Sequence, residues 1–132
     1  MNWYKNKKSA ERKEILADWL GVWNSIKALT SKTPNNGIIG SINGITIKLI
    51  DGDKVKLQHD IDFVEGGNDK AYSTYMPKNE IWIDKNVNPH NWKFICLHEF
   101  VERTLMSKEN MSYKDAHKLA DMVKREARAI HS

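Results

Sequence analysis

His98 and Glu102 stand four residues apart in the run Phe94-Ile95-Cys96-Leu97-His98-Glu99-Phe100-Val101-Glu102. On a helix that spacing stacks the two side chains on one face, one turn apart, where an imidazole and a carboxylate can converge on a single cation. Glu99 projects about a quarter-turn away from His98. From there a carboxylate can take the proton of an activated water instead of binding the metal. The chemistry to expect is hydrolysis at a divalent ion, zinc by preference.

This division of labour is that of the H-E-x-x-H helix, with Glu102 in the place of the second imidazole. A carboxylate is an acceptable zinc ligand, although its charge weakens the metal as a Lewis acid. A third ligand is still required, and His117 is the best placed. A short connection from Ser107 to Met111 returns the last helix across the one before it, and the small Ala116 and Ala120 beside His117 let the two approach closely. Tyr113, one turn earlier, and Arg103 are candidate donors to a developing oxyanion. His59 and His90 are less well placed. The plainer alternative makes Glu99, Glu102 and Arg103 an exposed helical face with ion pairs worth about a few tenths of a kcal/mol. Against it, apolar residues surround the His-Glu pair, and buried ionisable groups require partners.

Several elements must position these residues. Ile15, Leu16, Trp19, Leu20, Trp23, Ile26 and Leu29 recur at helical spacing and predict a first helix over about 9–30. Thr33-Pro34-Asn35-Asn36-Gly37 ends it. Between about 38 and 84 the chain reads as antiparallel strands. Asp51-Gly52 suggests a hairpin joining Ile45 to Ile50 with Lys54 to Gln58. Asp62 to Asp69 reads as a strand end entering a glycine turn, and Ala71 to Met76 and Glu80 to Asp84 as further strands. Asn88-Pro89 opens a helix to about 107, and Ser112 caps the last one, whose apolar face includes Ala116, Leu119, Ala120, Val123, Ala127 and Ile130. The expected fold is α+β: one domain over 1–132, with a small antiparallel sheet packed on three helices and a helical hairpin over about 89–130.

The composition narrows the function classes. With 40% hydrophobic and 29% charged residues, the 132-residue chain reads as globular, and no apolar run approaches the roughly 20 residues of a membrane span. Met1 to Lys8 is polar and basic, unlike a secretory signal, so a cytoplasmic location is expected. The lone Cys96 cannot form an internal disulfide. A net charge of +4 is scattered, with only short basic concentrations at Lys5, Lys7 and Lys8 and from Lys118 to Arg128. Nucleic acid is therefore not an expected partner.

Residues 60–128 carry a resemblance. Asp62-Phe63 with Gly66-Gly67, Tyr72, Pro77 to Asp84, Leu97-His98-Glu99 with Glu102-Arg103, Met106, Tyr113 and Ala116-His117 together resemble a group of largely uncharacterised phage and prophage-associated proteins. Their pattern looks like D-F-x-x-G-G-H, Y-x-x-x-P-x-N-E-I-W-I-D, L-H-E-x-x-E-R-x-L-M and Y-x-x-A-H-x-x-A. The resemblance implies a zincin-like, metallopeptidase-type site, in host cytoplasm or on a virion. Asn68 departs from it, standing where the pattern often has histidine.

The combined expectation is a zinc hydrolase with His98, Glu102 and His117 as ligands, Glu99 as base and Tyr113 or Arg103 as oxyanion donor. A peptide added as a strand along Glu80, Trp82 and Asp84 is the expected substrate pose. The competing expectation is a non-catalytic phage structural or host-interaction protein, in which the same residues hold a structural metal or only one another.

Overall fold

A computed structural model describes the backbone of residues 9–60 and 63–131 and the side chains of 19, 21–60 and 63–129. Of the expected features, the side chains of Ile15, Leu16, Leu20 and Ile130, and Asp62 as a whole, lie outside the described residues. The elements run α1 (Ser9–Thr30), β1 (Ile38–Ile42), β2 (Ile45–Ile50), α2 (Gly52–Gln58), β3 (Gly66–Asn68), β4 (Glu80–Asp84), a 3₁₀ turn (Pro89–Asn91), α3 (Trp92–Lys108) and α4 (Tyr113–His131). The α+β class expected from the sequence is the one found. Among the described residues no helix is long and apolar enough to cross a membrane.

The sheet is mixed, in the order β1-β2-β4-β3. β1 and β2 form an antiparallel hairpin through Asn43-Gly44, both at positive φ (52° and 79°), the backbone that a tight two-residue turn demands. β4 then pairs parallel with β2, Thr46 opposite Glu80 and Ile50 opposite Asp84, and antiparallel with β3. The sequence reading of an all-antiparallel sheet is corrected in this respect. Asp51-Gly52 is no hairpin turn. The Asp51 carboxylate accepts hydrogen bonds from the backbone N–H of Asp53 and Lys54 at 3.1 and 3.3 Å, so it caps α2 and carries the chain towards β3. The stretch 71–76 is also not a strand. Tyr72 N–H bonds to the Asn68 carbonyl and Met76 N–H to that of Tyr72, turns whose three- and four-residue spacing keeps Tyr72, Tyr75 and Met76 on one side.

α3 is the centre of the molecule. It packs against α1, α4 and the sheet, and eleven of its residues, from Trp92 to Leu105, are buried. That is why its apolar residues go all the way round. Trp23 and Ile26 of α1, Ile47, Ile81 and Ile83 of the sheet, and Ala116, Leu119 and Ala120 of α4 complete this core. Asn88 caps the 3₁₀ turn through His90 N–H at 2.9 Å, and Ser112 Oγ caps α4 through Asp115 N–H at 3.2 Å. Both caps are where the sequence put them.

β3 consists of the residues expected to form a glycine turn; the turn precedes it, at Glu65 with φ 63°. The strand lies tightly on α3. A Cβ on Gly66 would come within 2.7 Å of Ile95 Cγ2 and 2.8 Å of the Trp82 carbonyl oxygen, so only glycine permits this approach. Gly66→Ala is accordingly expected to destabilise the protein by about 1–3 kcal/mol in urea denaturation, through overpacking. Unchanged stability would mean that β3 is not seated this closely.

Candidate metal centre

α3 delivers His98, Glu99 and Glu102 to one end of a cavity of about 380 Å³, and α4 delivers Tyr113, His117 and Asp121 opposite them. Val64, Glu65 and Gly66, leading into β3, form a further wall with Tyr72. His98, Glu99 and Glu102 are 5%, 6% and 2% exposed, so all three have lost nearly all their water. Such groups persist only with partners. Glu102 Oε2 lies 3.1 Å from His98 Nε2 and 2.8 Å from His117 Nδ1. Its other oxygen, Oε1, accepts a hydrogen bond from Asn68 Nδ2 at 3.1 Å, and the same amide nitrogen donates to Glu99 Oε1 at 2.9 Å.

Asn68 thus bridges the two carboxylates. Its own oxygen accepts from Lys70 N–H and Ala71 N–H, both at 3.0 Å, so the amide can point only one way. The residue that departs from the resembling pattern is fully buried here and holds Glu99 and Glu102 in place.

His98, Glu99 and Glu102 form one group that could hold a metal ion; His98, His117 and Asp121 form another, the donor atoms in each lying within 4.8 Å of one another. The donors fit such an ion. Three carboxylates and two imidazoles share a small space, and His98 Nδ1 is buried without a hydrogen-bond partner, lying 3.0 Å from Asp121 Oδ1 but off line. Burial alone would lower the pKa of His98, yet the Glu102 hydrogen bond and the charges of Glu99, Glu102 and Asp121 raise it on balance. A field that holds a proton there attracts a cation too. Burial, then the Glu102 charge, pushes Glu99 up to about 7. Burial and the charges of Glu102 and Glu99 also raise Tyr113, so its phenol at the rim stays a proton donor at neutral pH.

Three expected site residues are placed elsewhere, and a fourth joins them. β4 is an interior strand, with β2 on one side and β3 on the other, so no peptide can add along Glu80, Trp82 and Asp84. Glu80 instead pairs with Lys48 at 2.9 Å and accepts from Trp82 Nε1 at 2.9 Å. Asp84 Oδ1 accepts from Gly52 N–H at 3.2 Å, at the start of α2. Arg103 leaves the cavity to clamp Asp69 through two nitrogens and Asn79 Oδ1 at 2.9 Å, tying the 69–79 loop to α3. Asp121 is the residue that sequence reasoning missed. Its signal was legible, since His117-x-x-x-Asp121 repeats the spacing of His98-x-x-x-Glu102.

Comparison with family models, with curated proteins and with solved structures finds no match to this chain.

The Arg103 clamp has a measurable pH dependence. Burial would raise the Asp69 pKa, but the Arg103 and Asn79 hydrogen bonds and the Arg103 and Lys70 charges outweigh it and hold the carboxyl below its usual 3.8. A group with a depressed folded-state pKa contributes stability above its unfolded pKa and loses it as the pH falls through the folded value. Wild type is therefore expected to melt above Asp69→Asn at neutral pH, with the gap narrowing below about pH 4. A gap independent of pH would contradict the clamp.

Proposed function

We propose that this chain is a zinc-dependent hydrolase of metallopeptidase type, with His98, Glu102 and His117 as ligands and Glu99 as general base. The observation that carries this reading is the convergence of two ring nitrogens, one from each helix of the hairpin, on a single oxygen of Glu102. Separations of 3.1 and 2.8 Å are hydrogen-bond distances, a little shorter than the roughly 3.3–3.6 Å between ligands held tetrahedrally at bonds of about 2.0–2.2 Å, so the three groups would move slightly apart to take an ion. Zinc, when bound, would polarise a carbonyl and bring the pKa of water towards neutrality.

The chain's own residues supply the rest. Glu99 is anchored at Oε1 by Asn68, while Oε2 lies 4.0 Å from His98 Nε2, beside the ligand set, as a proton acceptor needs. Tyr113, 43% exposed at the rim and protonated, would donate to the developing oxyanion. Arg103 has no part in this step. An extended peptide would lie along β3, the sheet edge next to the cavity, instead of along β4. Peptide or protein, not nucleic acid, is the substrate class proposed. The motif resemblance supports a phage-encoded protein acting in the host cytoplasm or on a virion.

A second reading has an observation of its own: the two histidines already pair with Glu102 and Asp121. A non-catalytic phage structural or host-interaction protein would need nothing more.

Glu99→Gln separates the two. The amide keeps shape and most hydrogen bonding but loses basicity. The variant is expected to keep about one zinc per chain by elemental analysis, while turnover in a peptide-library cleavage screen read by mass spectrometry falls by about 10²-fold or more. Zinc is expected to raise the melting temperature of the wild type and a strong chelator to lower it, by mass action on the folded state. Wild type that holds zinc yet cleaves nothing overturns the hydrolase and leaves a structural ion; protein that takes up no zinc overturns the hydrolase and the structural ion alike and leaves the paired His/Glu/Asp cluster of the second reading.

A further inference from the structure

Asp121 reaches the site from α4, one turn beyond His117, and meets both imidazoles from the edge opposite Glu102. Its oxygens divide between the rings: Oδ1 lies 3.0 Å from His98 Nδ1 and Oδ2 lies 3.5 Å from His117 Nε2. Glu102 touches the same two rings with one oxygen, Oε2. The four side chains therefore close a ring in which carboxylate and imidazole alternate, the imidazoles edge to face with centroids 4.8 Å apart.

The two carboxylates are not equivalent. Glu102 brings a single oxygen within hydrogen-bond distance of both rings, on the side where Glu99 also lies. Asp121 stands at the other nitrogen of each ring with one oxygen apiece, near enough to accept an N–H after a small rotation although neither contact is a hydrogen bond as the side chains stand. A second observation concerns His98 alone: it is 5% exposed, and its Nδ1 makes no hydrogen bond although Asp121 Oδ1 is 3.0 Å away. A neutral imidazole that gives one nitrogen to a metal must carry its proton on the other, and that N–H needs an acceptor. For Nδ1 of His98, Asp121 is within reach. Half-exposed and 3.6 Å from Lys124 Nζ, Asp121 closes the outer side of the cluster.

We propose that Asp121 is the positioning carboxylate of this site: it accepts the Nδ1–H of His98 and the Nε2–H of His117, so that His98 Nε2 and His117 Nδ1 present their lone pairs, beside Glu102 Oε2, to a divalent cation. The assignment rests on the metal reading above and adds a residue to it. It also explains the sequence pattern, because two helices that each carry an i, i+4 pair place an imidazole and a carboxylate apiece on their facing sides. Glu102 is the ligand of the two carboxylates; Asp121 sets tautomer and ring orientation.

The test uses the full chain, with zinc affinity measured by competition against a chromophoric chelator and coordination read from the visible absorption of the cobalt(II) form. Asp121→Ala is expected to bind one ion about 10- to 100-fold more weakly than wild type. Its cobalt spectrum at saturation should remain that of the wild-type ligand set. Asp121→Asn, whose carbonyl oxygen can still accept an N–H, should fall between the two. Glu102→Gln and His98→Ala should lose the wild-type cobalt spectrum. Melting curves of the metal-free variants run alongside, and the asparagine variant carries the comparison if alanine impairs folding. Wild-type affinity in both Asp121 variants overturns the proposal. So does loss of binding in Asp121→Ala as complete as in His98→Ala with Glu102→Gln retaining the ion, which would make Asp121 the ligand. Wild type that binds neither zinc nor cobalt defeats the metal reading itself, and is seen before any variant is made.

Discussion

Glu99 and Glu102 lie on α3, eleven of whose residues are buried, each less than a tenth exposed, with no lysine or arginine bonded to either among the described residues. Taking a carboxylate out of water costs several kcal/mol unless other groups replace the lost hydration. What replaces it here is one amide and two imidazoles. Asn68 donates to both carboxylates, and the rings of His98 and His117 meet at Glu102. The geometry of β3, of α4 and of the loop after β3 can be traced to this requirement.

β3 is three residues long, and two are glycines. Their lack of side chains lets the strand settle against Ile95 and Tyr72, which carries Asn68 down to the carboxylates. The Asn68 oxygen then folds the chain back on itself through Lys70 and Ala71. Asp69, the next residue, is held by Arg103, one position beyond Glu102 on α3. One turn of helix thus organises both the polar centre and the 69–79 loop, whose Tyr72 lines the cavity. On the other side, Ala116 and Ala120 are fully buried, so α4 approaches α3 closely enough for His117 and Asp121 to reach His98 and Glu102.

The local parts of this arrangement were legible in the chain. The spans of α1, α3 and α4 follow from apolar spacing and from caps at Asn88 and Ser112. The pairing of His98 with Glu102, and the return of His117 towards them, follow from helical periodicity and a short connection. The β region was less legible, because its signals are ambiguous over short windows. Asp-Gly serves a hairpin or a helix cap equally well, and at Asp51 the cap prevailed, with Asp84 taking up the Gly52 N–H. Tyr72, Tyr75 and Met76 look β-prone, yet they turn because Asn68 and Tyr72 offer their carbonyls to the chain four residues on.

The sequence alone determined that one helix would carry an imidazole and two carboxylates into an apolar environment and that a second helix would fold back across it, since both follow from the 3.6-residue period. It could not determine which other side chains would meet them. Whether Glu80, Trp82 and Asp84 face a substrate or a neighbouring strand depends on strand order, and parallel pairing with β2 put them inside the sheet. Whether Arg103 reaches the cavity depends on where Asp69 and Asn79 stand, residues 34 and 24 positions away. Asn68 joins the centre for the same reason, since its carboxylate partners are 31 and 34 positions away. Asp121 has a local partner in His117, but its approach to His98 depends on how the two helices pack, and only packing brings together groups whose burial none of them could sustain alone.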